Sequence, residues 1–599
     1  MIKTIFFMPV IFIAMSAGAA TDEGKIPYSV LGGDTQSFDP DISGLKRIKD
    51  KDKYDVVIVG GGLGGLTGGI YLSKRHLKVL ILEKEANVGG LASGRVTSDG
   101  IITDRGAAYW TSSYDEEQQI LQDIGLGDYE TDNPIKEPAD TYFVRGKLYP
   151  GIWDESLDSL PASFALFKFE LKKENDDGLI PNQPLEENNL TLDDRTASQW
   201  INQMPDKVKS RYDEIPQNVK DAYHQALKDK IDFKFDKASK VLPIWERFEA
   251  ERQSLRGAKY GMDDVMELMD LYCRSALGTD ADGVSALAFA NFYISEIETR
   301  YTTAYGTAKA AMNMVELLDK ATPAVEIKTS SAVAKIWNKW NGAVVAYLSG
   351  KEVREVSAKY VIFAAQSGLA PKLINNFSKM DPEKADVISK MKYANYSVHT
   401  VDLKGHPYKP SYDTWVHSSD YSRRDFTDVI TAEWIATDGF KTPPQREDHG
   451  IFTVYHPISP DWYKDNCAAN DPLCISKKYS DGDAIKVAKY AVHRLFELFA
   501  PMFKEQYGTD LDVTSVETNR WPISVHIAGP GHFSHDAKFL RQRVGHIFFA
   551  NNNIGTPAFE EALFRGHCAA ANVLLHLDHS FKIDKEENWK TKSNCPIEK

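Results

Sequence analysis

The chain has few cysteines, no excess of positive charge and, past its first twenty residues, no long apolar run. Five cysteines in 599 residues are too few for a disulfide-dense scaffold. Their spacing matches no zinc-ligand pattern, so no metal site is expected. Lys and Arg number 71 against 85 Asp and Glu, a net charge of −14. That deficit argues against nucleic acid or an anionic membrane surface as a partner. It suits cationic small molecules and equally suits a merely solvated acidic surface. There is no internal repeat and no low-complexity tract. What remains is ordinary globular composition, 42% hydrophobic and 26% charged, in a chain long enough for two or more domains.

Residues 1–20, MIKTIFFMPVIFIAMSAGAA, pattern as a secretory signal: one lysine, an apolar run from Ile5 to Met15, then small residues ending in Ala-Gly-Ala. The run is shorter than the roughly 20 residues a spanning helix needs, so no stable membrane insertion is expected after cleavage. A periplasmic or secreted location follows, with an oxidising environment. In that environment Cys467 and Cys474, with six residues between them in the polar loop NCAANDPLC, read as a local disulfide. Cys273 and Cys568 lie in helix-like apolar surroundings and read as core residues.

The most informative stretch is residues 54–90, YDVVIVGGGLGGLTGGIYLSKRHLKVLILEKEANVGG. Tyr54–Val59 is apolar and β-branched, as a parallel strand buried on both faces should be. Gly60, Gly62 and Gly65 form GxGxxG at its end, with Leu63 and Gly64 between. The first glycine permits a tight turn, the second lets backbone approach a pyrophosphate, and the third lets the following helix pack on the strand. The helix directs its N-terminal N–H groups at phosphate. Lys78–Leu82 is the next strand. It ends at Glu83, where a carboxylate would accept hydrogen bonds from an adenosine ribose, and Lys84 follows. NAD and FAD share this pattern. Gly89-Gly90 shortly beyond tips the choice to FAD, and Arg95 is placed to reach the pyrophosphate.

The sequence divides into seven parts: the signal 1–20, an extension 21–52 lying over the body, a first FAD-binding part 53–110, a helical and substrate part 111–300, a second FAD-binding part 301–370, a second substrate part 371–515, and a closing part 516–599. In the second FAD-binding part Ala308–Lys320 reads as a helix, and Ser331–Trp340, Ala343–Leu348 and Tyr360–Ala364 as strands. The closing part, HIFFANNNIGTPAFEEALFRGHCAAANVLLHL from His546, reads as strand, polar turn and long helix, its N-terminal dipole free to face a bound ring. The fold class is α/β: a Rossmann-type, GR2-like FAD-binding domain interleaved with a mixed α+β substrate domain.

These segments resemble the flavin-dependent amine oxidase and phytoene desaturase superfamily. The resemblance rests on VVIVGGGLGGL…LEKEANVGGLASG, on Asp104-Arg105-Gly106-Ala107, and on Phe549-Ala550 with the last helix. It implies that the Val333 backbone meets the adenine. It also implies that Asn551, Asn552, Asn553 and Gly555 touch the flavin or its ribityl chain, three asparagines replacing the family's usual acid. Asn519-Arg520-Trp521-Pro522 looks similar to the spermidine dehydrogenase branch. In a rough alignment His399 falls where many amine oxidases carry a lysine beside the flavin, and Trp521, His526 and His399 are candidates for the substrate wall.

The activity so implied is oxidation of an amine or polyamine CH–NH bond, with hydride passing to the flavin and oxygen or a redox carrier as final acceptor. Two other readings stay open: a desaturase or isomerase acting on a hydrophobic polyene or lipid, and a flavin-binding scaffold without catalysis.

Overall fold

A computed structural model describes residues 26–31 and 42–577, apart from internal stretches of which the longer are 127–134, 255–261, 418–424, 432–448 and 459–478, together with Cys595. The expected signal segment and the Cys467–Cys474 pair lie outside the described residues.

Two sheets organise the molecule. The first has seven strands. Its parallel part runs Glu326–Lys328, Val79–Leu82, Lys46–Val59, Glu352–Phe363 and Ile547–Phe549. These strands are apolar on both faces: Val56, Val57, Ile58, Leu80, Ile81, Val361 and Ile362 are all fully buried. Helix Leu63–Ser73 covers one face and packs against Phe559–Leu577, the closing helix. An antiparallel three-stranded portion, Val333–Lys339, Gly342–Ser349 and the first half of Glu352–Phe363, extends the sheet.

The first strand begins at Lys46, eight residues before Tyr54, so residues 46–52 belong to the sheet and not to a separate extension. Those residues are polar because they pair with the equally polar start of Glu352–Phe363. Ion pairs Lys46–Glu352 (3.3 Å) and Arg354–Asp50 (3.0 Å) join the two strands at the solvent edge.

The second sheet has eight strands in the order Tyr28–Leu31, Val513–Trp521, Asn395–Lys404, His449–Ile458, Asp428–Thr431, Asp413–His417, Asp140–Val144 and Lys147–Pro150. It spans the expected break at 515/516, since Val513–Trp521 pairs along its length with Asn395–Lys404. One face packs under helix Asp481–Tyr507 through Val401, Phe452, Val454 and Leu495. The opposite face, by strand alternation, carries Tyr396, Val398, Tyr455, Asp428 and Ile430 toward the first sheet. Six helices between Ala162 and Glu298 form a separate apolar cluster around Trp200, Phe289 and Tyr272. Among the described residues no helix is long and apolar enough to cross a membrane.

Cys568 is not a lone core residue: it is disulfide-bonded to Cys595. The bond ties the chain's end to the closing helix beside Phe564. Helical apolar patterning marked burial of Cys568 but carried no sign of a partner 27 residues on. Cys273 is a buried free thiol, as expected.

Candidate functional site

The ends of four parallel strands open on one cleft. Val59, Leu82, Ala364 and Ala550 all border it, with about 1450 Å3 of empty space, open mouth included. This is the crevice outside the carboxyl ends of the strands, where open α/β sheets bind ligands. The glycine turn forms its floor. Gly60 has φ +107°, and a Cβ there would meet the Ala364 backbone at 3.1 Å. A Cβ on Gly65 would sit 2.0 Å from the Gly60 carbonyl oxygen, so only glycine lets the helix lie this close. At Gly62 a Cβ would meet nothing nearer than the Gly90 Cα at 3.9 Å and would project into the cleft. The helix behind the turn has no acidic side chain in its first turn, so its N–H groups and dipole suit an anion.

Gly89 and Gly90 back this floor. The Gly89 N–H donates to the Gly61 carbonyl at 2.7 Å, and both glycines have positive φ. Glu83 is buried. Its Oε2 accepts from the Gly61 N–H (2.7 Å) and its Oε1 from the Glu85 N–H (2.9 Å). Burial raises its carboxyl above the ordinary range while those two backbone bonds act against the shift. Each oxygen keeps a lone pair for a ribose hydroxyl. Lys84, Gly90 and Val333 also line the cleft, Val333 near the Glu83 end. This set of donors, bare backbone and one buried carboxylate fits FAD.

At the other end stand Arg520, Trp521, Asn551 and Asn552. Trp521 is fixed by its Nε1, which donates to the Arg105 carbonyl at 2.6 Å. Arg105 in turn donates to Asn519 Oδ1 at 2.6 Å. Asn551 caps the turn Asn552–Ile554 and donates to the Ala365 carbonyl. The Asn552 side chain makes no hydrogen bond among the described residues and borders the cleft.

Five expectations are corrected. Arg95 does not border the cleft: it is paired with Glu517 (3.0 Å) and Asp402 (3.7 Å) of the second sheet. Asn553 is fully buried behind the cleft, where it accepts from the Ser367 N–H (2.7 Å) and donates to Gln366 Oε1 (2.7 Å). Gly555 also lies behind, packed so closely on Glu561 that a Cβ would overlap its carboxylate.

His526 holds that same turn by donating Nε2–H to the Gly555 carbonyl at 2.8 Å, and burial with neighbouring His532 pulls its pKa down to about 3. It lines neither cavity. His399 points to the wrong face of its strand. Its Nδ1 meets Thr518 Oγ1 at 2.9 Å, its Nε2 faces His456 at 3.4 Å, and it lies on the helix-covered side with Val401. Burial, then His456, holds it neutral well below the usual histidine range. A one-residue shift in a strand reverses the side chain's face, and alignment alone could not settle that.

A second cavity, about 830 Å3 of empty space with its opening, adjoins the first. The two share Leu91, Ala107, Trp521, Pro557, Ala558 and Phe559 as walls. Tyr396, Tyr455 and Trp415 come from the second sheet, Ser275 and Phe292 from the helical part, and Tyr109 and Trp110 from the stretch just after Asp104-Arg105-Gly106-Ala107. Tyr455 donates to the Gly106 carbonyl and Tyr396 to the Arg274 carbonyl (2.7 Å), so the rings are anchored at their polar tips. Two buried carboxylic acids complete the wall. Burial lifts both Asp428 and Glu560 to about 7. Among the described residues no lysine or arginine lines this cavity.

None of Tyr396, Tyr455, Asp428 or Glu560 stood out in the sequence. The first three are single positions in alternating strands. Glu560 looked like an ordinary first-turn helix acid.

A nucleotide cleft joined to an aromatic, acid-lined chamber through a tryptophan wall defines a two-cavity flavoprotein. A family model described as flavin containing amine oxidoreductase matches residues 63–574, and the chain belongs to that family, whose cofactor is FAD.

Pseudooxynicotine dehydrogenase from a Pseudomonas species is 26% identical over 210 residues, 32% of this chain and 40% of that relative. Flavin-containing amine oxidase A of Bos taurus is 30% identical over 107 residues, 18% of this chain and 20% of that one. The matched stretches thus span well under half of these relatives. Among solved structures, cyclohexylamine oxidase from Brevibacterium oxydans IH-35A superposes with TM-score 0.54 at 14% identity, covering 88% of this chain and all of that one. Wild-type putrescine oxidase bound to putrescine gives 0.52 at 15% identity, with the same coverage. At such identities the likeness speaks for the fold alone.

Proposed function

We propose that this protein is an exported FAD-dependent oxidoreductase that oxidises an amine at its CH–NH bond. The observation that carries the reading is the chamber joined to the nucleotide cleft: aromatic walls, two buried acids and, among the described residues, no lysine or arginine. Family membership and the amine-named relatives support it. Export is supported by the N-terminal pattern and by the Cys568–Cys595 bond, since disulfides persist in oxidising compartments.

Bound FAD supplies a two-electron acceptor for hydride from the carbon next to nitrogen. The chain's own residues hold and enclose the substrate. Glu83 and the glycine turn fix the nucleotide half of the cofactor. Trp521, anchored on the Arg105 carbonyl, stands in both cavities and sets the border a substrate must meet. Tyr396, Tyr455 and Trp415 exclude water and favour the neutral amine at the reacting end.

The test is anaerobic mixing of the purified yellow protein with a panel of amines and amino acids. Bleaching of the flavin band is expected. The second-order rate, kcat/KM, should rise with pH as the amine loses its proton. A flavin that no amine bleaches would reject the reading.

A further inference from the structure

Of the two acids that line the second cavity among the described residues, Asp428 lies on the second sheet, away from the wall that the two cavities share. It sits at the start of strand Asp428–Thr431, 3% exposed, and does not border the nucleotide cleft. Ser275 Oγ donates to its Oδ1 at 2.6 Å and Thr427 Oγ1 donates to the same oxygen at 2.5 Å. Oδ2 receives no hydrogen bond among the described residues. Glu560 differs: it sits next to the shared-wall residue Phe559, and its Oε1 already accepts from the Thr111 N–H.

A guanidinium that acts on Asp428, that of Arg300, is engaged by Asp140 at 2.6 Å. A buried carboxylate with one oxygen unmatched is costly unless a donor meets it. Tyr396, Tyr455 and Trp415 line the same cavity, and aromatic rings favour a cation.

We propose that Asp428 receives the distal ammonium of a substrate with two amino groups, so that the preferred substrate class is a diamine or polyamine and not a monoamine. This rests on the amine reading above and extends it to a specificity-determining residue. The reacting nitrogen lies at the shared Trp521 wall, deprotonated. The second nitrogen stays protonated and supplies the donor that Oδ2 lacks. Binding of that ammonium favours the ionised acid, so the ion pair forms only when the right substrate is present. Fixing one end of a flexible chain also positions its other end.

The experiment uses the full-length holoprotein and linear amines matched in carbon number, one series with a single amino group and one with two. Anaerobic flavin bleaching gives a dissociation constant and a limiting rate for each. Wild type should bind its best diamine at least tenfold tighter than the matched monoamine. Asp428→Asn keeps an acceptor for Ser275 and Thr427 but cannot carry charge. It should lose that preference, diamine binding weakening at least tenfold more than monoamine binding, with FAD content retained.

Asp428→Glu should restore a preference, displaced to a diamine about one methylene shorter. This second variant decides the matter if the first folds poorly. Equal diamine preference in wild type and Asp428→Asn, or bleaching by monoamines and by no diamine, overturns this assignment while leaving amine oxidation standing. Bleaching by neither series overturns amine oxidation and this assignment with it.

Discussion

The two cavities are built from different material. The nucleotide cleft has a floor made largely of backbone within residues 59–92: strand ends, a glycine turn, a helix N-terminus and one buried carboxylate. The adjoining chamber is made of side chains drawn from residues as far apart as Trp110, Ser275, Tyr396, Asp428, Tyr455 and Glu560. The first therefore tolerates little change in shape and holds a cofactor common to a whole family. The second can be retuned one side chain at a time, and the proposed function places specificity there. The shared Trp521 wall is where the two requirements meet.

The largest effect expected is on the backbone-built side. Gly62→Val places a side chain where the pyrophosphate must lie and should leave protein purified without yellow colour, while circular dichroism stays near wild type. Full flavin occupancy in that variant would break the contrast. Glu83→Ala should be milder: it removes charge-assisted hydrogen bonds to the ribose, each worth roughly 1.5–3 kcal/mol. Equilibrium dialysis of FAD should show weakening of tenfold or more.

Neighbouring asparagines sharpen the contrast within one turn. Asn553→Ala leaves the Ser367 N–H and the Tyr393 hydroxyl without their acceptor and should cost about 1–3 kcal/mol of stability by urea unfolding. Asn552→Ala should leave stability near wild type and shift only the flavin spectrum or affinity.

Titration separates the regions in another way. Asp428, Glu560 and Asp104 are raised by burial to about 7, 7 and 8. Carboxyls raised in the folded state contribute stability that is present below their unfolded value and is lost as pH climbs through 7 to 8. His526 and His567, lowered to about 3 and 4 by burial, contribute stability that is present above 6.5 and is lost as pH falls toward those values. In the absence of amine the two sets oppose each other between about pH 4 and 6.5, so melting temperature should fall most clearly from about pH 6.5 to 8, where only the carboxyls still act. Asp428→Asn should flatten the alkaline side, and melting curves from pH 4 to 9 would show it. His399→Ala, on the helix-covered face, should lower the melting temperature without displacing the pH profile of flavin reduction.

The same contrast explains what could be read from the chain. The cleft was legible because its parts are contiguous and each glycine has a steric task. Gly60, Gly62 and Gly90 lie where the motif placed them. The strands Val333–Lys339 and Gly342–Ser349, the end of Glu352–Phe363 and the closing helix were legible for the same local reason, while the polar first part of Glu352–Phe363 was not. The chamber was not, because Tyr396, Asp428 and Tyr455 become neighbours only when three strands pair in register. Parity defeated His399: the strand's even positions face the chamber and its odd positions face the helix. Arg95 failed for a longer-range reason, since Glu517 and Asp402 reach it only through the second sheet.

The central claim is that cofactor and amine occupy separate, adjoining cavities. Ala276→Trp tests it most directly, because Ala276 is a partly buried residue that lines the chamber and does not touch the cleft. The indole would fill the chamber from one end of a helix. The measurement is anaerobic flavin bleaching by the best wild-type amine, taken beside FAD content. The account predicts full FAD occupancy with bleaching slowed at least a hundredfold. Bleaching at the wild-type rate with the chamber filled would contradict it.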